Sequence, residues 1–268
     1  MNYLVGTAFF LLGLIIGSFL NVLILRYRTG RTVLGRSACF SCGTTLIWQD
    51  LVPVFSFLAI GGKCRSCGSK ISIQYPLVEF LTGLIFLAVF WQVGLRFGLE
   101  SLFYLIYYLI IWSLLIVILV YDLRHKIIPD GFVYTFAILA LVNFLAITPF
   151  EQLSQSSGLW ELLAGPILFL PFFLVWSLSR GRLMGLGDGK LALGIGWMLG
   201  LAKGGTAIIL GFWVGAVVSI ILLILSKLGL SLGGKPLTIK SEVPFAPFLI
   251  LGILIVFLTG FNLFAIGL

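Results

Sequence analysis

The chain has 268 residues, of which 60% are hydrophobic and only 10% are charged, whereas soluble domains average roughly 45–50% apolar and about 25% charged residues. This composition excludes an ordinary soluble protein and predicts an all-α polytopic membrane protein that has the bilayer as its solvent. The formal net charge of +8 is explained by membrane topology, so we expect membrane lipid as a partner and no nucleic acid.

Apolar stretches of near-spanning length recur along the sequence and predict about eight transmembrane helices. The first covers residues 1–25, and we interpret it as a retained helix because its cations, Arg26 and Arg28, follow the apolar run instead of preceding it as in a signal peptide. The remaining helices are predicted at residues 77–94, 103–121, 132–148, 162–179, 189–203, 205–226 and 246–266.

The cations predict how these helices are oriented. With eight spans and the N-terminus outside, only Arg96 and Lys203 of the 17 lysines and arginines lie outside, and the other 15 lie in the cytoplasm. A re-entrant sixth helix would leave 13 inside and 4 outside, which is a weaker bias. We therefore expect the connectors after the first, third, fifth and seventh helices in the cytoplasm.

The one substantial polar connector, residues 26–76, contains all four cysteines, which occur as the pairs Cys39-Phe-Ser-Cys42 and Cys64-Arg-Ser-Cys67. Two CxxC pairs, each followed by a glycine, have a spacing close to that of structural zinc sites. Two disulfides or a redox pair are the alternatives, but disulfides do not persist in a reducing compartment. We predict Zn²⁺ bound by four thiolates that supplies folding energy to this loop, with Asp50 as a solvated residue and not a ligand.

Two aspartates lie at predicted cytosolic helix ends and at similar depth. Asp122 follows the third apolar run, and Asp188 directly precedes the sixth. Two carboxylates held close together can share a proton, so that one activates water while the other donates to a carbonyl oxygen, as in aspartyl proteases. Capping, or pairing with the cations Arg124, Lys126 and Lys190, is the alternative for both residues.

Three glycines around the second aspartate, at positions 185, 187 and 189, favour the catalytic interpretation because they permit a sharp turn and a close backbone approach. Asp130 competes for the first catalytic place, but it follows Pro129 and precedes a predicted helix, which indicates an N-cap. His125 is the only histidine, and a lone interfacial histidine among cations is more often solvated than catalytic.

Further motifs occur in one order along the chain: Gly17-Ser-Phe-Leu-Asn-Val22, the CxxC pairs, Tyr75-Pro-Leu-Val-Glu79, Asp122 with Ile128-Pro-Asp130, Gly185-Leu-Gly-Asp188 with Lys190-Leu191, and Val243-Pro-Phe-Ala-Pro-Phe248. As a set they resemble the bacterial type IV prepilin peptidases, also called prepilin leader peptidases, of the GxGD aspartyl protease family. The resemblance covers nearly the whole chain. Archaeal preflagellin peptidases and, more distantly, presenilin-type proteases are related to that family.

The resemblance implies an enzyme with two activities. One is an aspartic-type endopeptidase that removes the basic leader from prepilin or pseudopilin precursors, and the other is an N-methyltransferase that uses S-adenosylmethionine on the new N-terminal residue. Position by position, Asp122 and Asp188 match the catalytic aspartates, and the four cysteines match the zinc loop. The implied setting is a type IV pilus or type II secretion system in the bacterial inner membrane, with the active site facing the cytoplasm.

Two positions depart from the family pattern: Gln49-Asp50 replaces an expected asparagine, and Gly189 replaces a usually larger residue. No Gly-rich nucleotide loop or Rossmann pattern reveals the S-adenosylmethionine site. Glu79, at the start of the second predicted helix, is a weak candidate for that site. A helix N-terminal carboxylate favoured by the helix dipole is the alternative explanation of Glu79.

The predicted organisation has three parts: residues 1–25 as the first transmembrane helix, 26–76 as a cytoplasmic four-cysteine zinc loop associated with methyl transfer, and 77–268 as a seven-helix membrane peptidase domain. A non-enzymatic zinc-stabilised scaffold or a small-solute transporter is the alternative from a different class, although the predicted helix centres lack the charges that a transporter would use. A peptidase without methyltransferase activity is the second alternative.

Overall fold

The structure is a computed structural model and describes residues 2–30, 32, 34–94, 99–149, 151, 156–228 and 243–265. One of the two cations predicted outside, Arg96, lies outside the described residues. So do three of the predicted cytoplasmic cations, Arg31, Lys235 and Lys240, and the terminal residues Met1 and Ile266 of the first and last predicted helices.

The described residues form helices joined by loops, and their only strand-like pairing is two isolated bridges in the cysteine loop. The α-helices are α1 (Asn2–Arg26), α2 (Phe55–Ala59), α3 (Gln74–Val93), α4 (Leu99–His125), α5 (Asp130–Ile147), α6 (Ser156–Ser179), α7 (Leu186–Lys227) and α8 (Ala246–Thr259). Two short 3-10 helices cover Trp48–Leu51 and Leu263–Ala265. The predicted all-α class is confirmed.

Six of these helices, α1 and α3 to α7, are long and apolar enough to cross a membrane. The chain is therefore an integral membrane protein. The two predicted helices 189–203 and 205–226 are consecutive segments of α7, which is interrupted at Gly200, where φ is 77° and ψ is 175°. The last predicted helix corresponds to α8, which has 14 residues. The number of eight spans stays a prediction.

Several helices extend beyond their predicted bounds, and two of these ends include the aspartates. The third predicted helix ends at residue 121, but α4 continues to His125 and so includes Asp122. The sixth begins at 189, but α7 begins at Leu186 and so includes Asp188. Polar residues are tolerated in the last turn of a membrane helix because they can be solvated there. The point where the sequence becomes polar therefore does not mark where the helical hydrogen bonds end.

The chain divides into two compact units, residues 1–117 and 118–268, with the boundary inside α4. In the first unit, α1 packs against α3, and the contact is close because a Cβ on Gly17 would lie 2.7 Å from the Cα of Glu79. In the second unit, α7 packs against α5, α6 and α8. A Cβ on Gly196 would lie 2.6 Å from the main chain of Ala164, so α6 and α7 also meet backbone to backbone.

Candidate functional site

Asp122 lies in the last turn of α4 and is 4% exposed. Its Oδ2 atom accepts a 3.1 Å hydrogen bond from the main-chain N–H of Ala246, the first residue of α8. The first N–H groups of a helix have no partner within the helix, so the carboxylate satisfies one of them. This contact joins Asp122 to the Val243–Phe248 motif, which is more than a hundred residues away in sequence. It fixes one of the two carboxylate oxygens of Asp122.

Asp188 is the third residue of α7 and is 9% exposed. A carboxylate in the first turn of a helix lies near the unpaired N–H groups and the positive end of the helix dipole. The side chain also interacts with its own main-chain N–H. Both aspartates are therefore buried, and each is oriented by main-chain donors at a helix N-terminus.

The two carboxylates are close enough to interact electrostatically. Neither forms an ion pair within the described part of the chain, where Lys190 pairs with Asp130 and Arg65 pairs with Asp50. The described structure therefore does not support the alternative that the aspartates pair with neighbouring cations. A close pair of carboxylates can hold one proton between them, so that one group acts as a base and the other as an acid.

The glycines of the GxGD motif allow close packing and do not form a sharp turn, so the predicted turn is wrong. Gly185 has φ −75°, and neither Gly187 nor Gly189 has a positive φ. The positive φ lies earlier, at Gly181. A Cβ on Gly187 would lie only 2.8 Å from the Cβ of Ile128. The predicted close backbone approach is thus present, between the start of α7 and the loop that precedes α5.

Gly189, where the family usually has a larger residue, also lies in a tight contact. A Cβ at this position would lie 3.1 Å from the Cβ of Phe172 and 3.2 Å from the ring of Phe169. Both phenylalanines belong to α6. A larger residue here would require α6 side chains to move, so in this chain the phenylalanines and the glycine fit each other.

Asp130 does not interact with Asp122 in the described structure. It is the first residue of α5, Pro129 is the N-cap, and no side-chain cap hydrogen bond is formed, so the predicted capping role is wrong. Instead, Oδ1 of Asp130 lies 2.6 Å from Nζ of Lys190, which also lies 4.8 Å from the ring centroid of Tyr134. This ion pair ties the first turn of α7, which carries the second aspartate, to the first turn of α5.

His125 is exposed and its ring centroid lies 4.5 Å from that of Tyr121 on the same helix. A tilted ring contact of this kind is ordinary packing of aromatic neighbours one turn apart on a helix. The solvated position predicted for the only histidine is therefore observed.

The cysteine loop contains two knuckles of the same construction. The N–H of Gly43 donates to the carbonyl of Cys39, and the N–H of Gly68 donates to the carbonyl of Cys64, both at 2.9 Å. The two glycines have φ of 72° and 68°, a backbone conformation that glycine adopts without strain. Each CxxC pair is thereby folded into a tight turn that ends at the glycine after it.

The four Sγ atoms all lie within 4.8 Å of one another, and those of Cys39 and Cys67 are 3.9 Å apart. Tetrahedral zinc with Zn–S bonds of about 2.3 Å places sulfur atoms about 3.8 Å apart, whereas a disulfide requires about 2.05 Å. All four cysteines are free thiols. The cluster fits a metal ion and not a pair of disulfides, and four soft thiolates are the donor set of a structural zinc site.

Hydrogen bonds also prepare the thiols for metal binding. The main-chain N–H groups of Cys42 and Ser41 lower the pKa of Cys39 to about 6. The Ser69 hydroxyl lowers the pKa of Cys67. The thiolate is the form that binds metal, so Cys39 is available as a ligand near neutral pH.

Asp50 is not a free, solvated residue as predicted. Its Oδ1 lies 2.6 Å from Nε of Arg65, which lies inside the second CxxC pair, and the aspartate side chain is only 12% exposed. Asp50 follows Gln49, where the chain departs from the family pattern. The ion pair connects the segment between the two knuckles to the second knuckle.

Glu79 is the sixth residue of α3 and is 6% exposed. It lies beyond the first turn, so the helix-dipole explanation does not account for it. Its Oε2 accepts a 2.7 Å hydrogen bond from the main-chain N–H of Val54. Sequence reasoning missed the side-chain partner of this carboxylate, Ser18, which lies in the Gly17–Val22 motif. Asn21 of the same motif donates to the carbonyl of Tyr75, one turn earlier on α3.

Fold and site together define a class of protein. It is a helical integral membrane protein with a pair of buried carboxylates at helix ends and a four-cysteine cluster. Comparison with known proteins agrees with this class. Residues 11–93 match the family described as Bacterial Peptidase A24 N-terminal domain, and residues 109–234 match the Type IV leader peptidase family. No solved structure matches this chain.

Curated relatives match over most of the chain. A protein of Bacillus subtilis is 31% identical over 94% of this chain and 93% of its own length, and one of Pseudomonas aeruginosa is 31% identical over 89% and 85%. One of Myxococcus xanthus is 33% identical over 80% of this chain and 62% of its own length. All three are named prepilin leader peptidase/N-methyltransferase.

The chain belongs to the type IV leader peptidase family. The predicted resemblance is confirmed, and the protein is an enzyme of the peptidase and methyltransferase class that its relatives' names describe. The alternative of a non-enzymatic scaffold or a small-solute transporter does not agree with this membership.

Proposed function

We propose that this protein removes the basic leader peptide from type IV prepilin or pseudopilin precursors at the cytoplasmic face of the bacterial inner membrane. We further propose that it methylates the new N-terminal residue with S-adenosylmethionine. The observation that carries the peptidase part is the pair of buried carboxylates, Asp122 and Asp188, which interact with each other and have no cation partner among the described residues.

In the proposed cleavage, the ionised carboxylate of the pair takes a proton from water, and the protonated one donates to the oxygen of the scissile carbonyl. The Ala246 N–H holds one oxygen of Asp122, so the other oxygen is available for this exchange. A basic leader stays in the cytoplasm while the apolar helix after it enters the bilayer, so the scissile bond lies at the interface. Two helix ends that carry carboxylates suit this depth.

We assign the supporting parts as follows. The loop of residues 26–76 binds Zn²⁺ through Cys39, Cys42, Cys64 and Cys67 and is associated with methyl transfer, and residues 77–268 form the peptidase domain after the first transmembrane helix. Zinc is supported by sulfur separations close to those of a tetrahedral site. A shared proton further implies a bell-shaped dependence of the cleavage rate on pH.

The test incubates the purified protein with a prepilin leader peptide and S-adenosylmethionine and measures both products by mass spectrometry. Asp122→Asn and Asp188→Asn should each reduce cleavage roughly 10²–10⁴-fold, the usual contribution of general acid–base groups. The matched control is Asp130→Asn, which loses only a half-exposed ion pair and should cleave at close to the wild-type rate. Cleavage by Asp122→Asn at the wild-type rate, or loss of cleavage in Asp130→Asn, contradicts the assignment.

A further inference from the structure

A polar cluster in the first unit joins two sequence motifs that the aspartate pair does not use. Ser18 and Asn21 come from the Gly17–Val22 motif of α1, and Glu79 comes from the Tyr75–Glu79 motif of α3. We call these three residues, with Gln74 and the main-chain N–H of Val54, the Glu79 cluster. The motifs are more than 50 residues apart in sequence and meet only in the folded chain.

The packing of α1 on α3 builds this cluster. Gly17 lies against the main chain of Glu79, which brings the next residues of α1 alongside it. Asn21 is 1% exposed, and its amide donates to the carbonyl of Tyr75 at 3.2 Å. The amide of Gln74 donates to Oδ1 of Asn21 at 3.5 Å. Buried amide groups are thus satisfied by one another at the end of α3 where the cysteine loop enters.

The Glu79 carboxylate has only neutral partners among the described residues. They are the Val54 N–H at 2.7 Å and the side chain of Ser18. The Val54 backbone has φ 62°, which is an outlier for a β-branched residue. The fold therefore keeps a strained residue in place to hold a donor on a buried carboxylate that has no cation. Buried carboxylates are normally paired, so a cationic ligand would complete this site.

We propose that the Glu79 cluster binds a primary ammonium group, and specifically the new amino terminus of the trimmed substrate before it is methylated. This inference rests on the proposed function. S-adenosylmethionine also carries an ammonium group, but that group has a carboxylate beside it. A site for S-adenosylmethionine would therefore best include a cation to bind this carboxylate. Among the described residues, the Glu79 carboxylate has a hydroxyl and a main-chain N–H as partners and no cation. The cluster therefore suits a peptide amino terminus better.

The site also supplies what the transfer step requires. The ammonium passes one proton to the Glu79 carboxylate, which frees the lone pair of the nitrogen. That lone pair forms the new C–N bond as the methyl group leaves the sulfonium of S-adenosylmethionine, and the electrons of the broken C–S bond stay on sulfur as a neutral thioether. Atoms and charge balance without a further reactant.

The experiment measures binding and not activity. The purified full-length protein, without S-adenosylmethionine, is titrated with a trimmed prepilin peptide that has either a free or an acetylated amino terminus. The wild-type protein should bind the free amine more tightly. Glu79→Gln keeps the shape and an acceptor for the Val54 N–H, and should reduce this preference roughly ten- to a hundredfold, as expected for loss of a charged hydrogen-bond partner.

Thr82→Val is the matched control, because Thr82 is equally buried on the same helix and its hydroxyl donates within the helix to Val78 at 2.7 Å. This variant should keep the preference. Absence of the preference in the wild-type protein, or an unchanged preference in Glu79→Gln, overturns the proposal. Loss of S-adenosylmethionine binding in Glu79→Gln with the amine preference retained also overturns it and assigns the cluster to the donor.

The outcome is separable from that of the proposed function. If the wild-type protein neither cleaves nor methylates a prepilin, the proposed function fails. If the wild-type protein does both while Glu79→Gln keeps the amine preference, only the assignment of this cluster fails.

Discussion

Asp122 and Asp188 are ionisable side chains at the ends of otherwise apolar helices, and burial of such groups is costly unless main-chain donors or a partner compensate. Here the compensation comes from helix N-termini, one belonging to α8 and the other to α7. Because neither carboxylate is neutralised by a described cation, the pair keeps its capacity to exchange a proton with water. A structural ion pair would have removed that capacity.

Two glycines of the GxGD motif can test the close contact between the start of α7 and the loop before α5. Gly187→Ala should destabilise the protein by about 1–3 kcal/mol, because its Cβ would lie 2.8 Å from the Cβ of Ile128. Gly185→Ala should cost less, because the nearest atoms to its Cβ lie 4.0 Å away and its φ is −75°. Thermal unfolding in detergent gives the comparison. Equal midpoints for the two variants would contradict the packing explanation.

Among the elements, the two knuckles form a small unit whose stability we expect to depend on a metal. The described residues of the loop form a five-residue helix and a short 3-10 helix, and neither has a buried residue. We therefore expect metal binding to be the main source of folding free energy for this segment.

We therefore expect about one zinc per chain by elemental analysis. Cys39→Ser should lose the metal and expose the loop to protease while the membrane helices stay folded. Recovery of the wild-type protein without metal, and with its cysteines as disulfides, would contradict this prediction.

Acidification should release this metal. The pKa of Cys39 is lowered to about 6 by the N–H groups of Cys42 and Ser41, so the thiolate and its contribution to binding are present above that pH. They are lost as the pH falls through it, because protons then compete with the metal for sulfur. Zinc release followed with a chromogenic chelator should rise below about pH 6. The Cys39→Ser variant, expected to hold no zinc, gives the baseline, and zinc retention at pH 4 would contradict the mechanism.

For the whole molecule, the two compact units carry different chemical groups. The cysteine cluster and Glu79 lie in residues 1–117, and both aspartates lie in residues 118–268. We therefore expect the two activities to be separable. Asp188→Asn should still methylate a substrate supplied already trimmed, measured by mass spectrometry. If a folded Asp188→Asn protein lost methylation of that substrate, a shared site would be the better explanation.

The orientation in the membrane is also a property of the whole chain. The cations predict the N-terminus outside, so a phosphatase reporter fused after Gly94 should be active outside the cytoplasm. A reporter fused after Arg182 should be inactive because it stays in the cytoplasm. The opposite pattern would place the aspartate pair on the other side of the membrane.

Features that depend on composition and local spacing could be predicted from the sequence. Apolar length predicted helices of the membrane class, and the CxxC spacing predicted a cluster whose thiols do meet. Asp122 and Asp188, each expected at a helix end, do lie close enough for the charge of Asp122 to act on Asp188. Their common depth in the membrane stays a prediction. These properties follow from a few residues that are near one another in the chain.

Only the tertiary structure decided which distant groups meet. The donor to Asp122 is Ala246, the partner of Asp130 is Lys190, and the motif of Asn21 joins that of Glu79. Local reasoning assigned Asp130 a capping role and the GxGD glycines a turn, and both were wrong because packing against another segment selects those residues. Hydrogen bonds and close contacts between residues far apart in sequence depend on how helices cross, and no local pattern encodes that crossing.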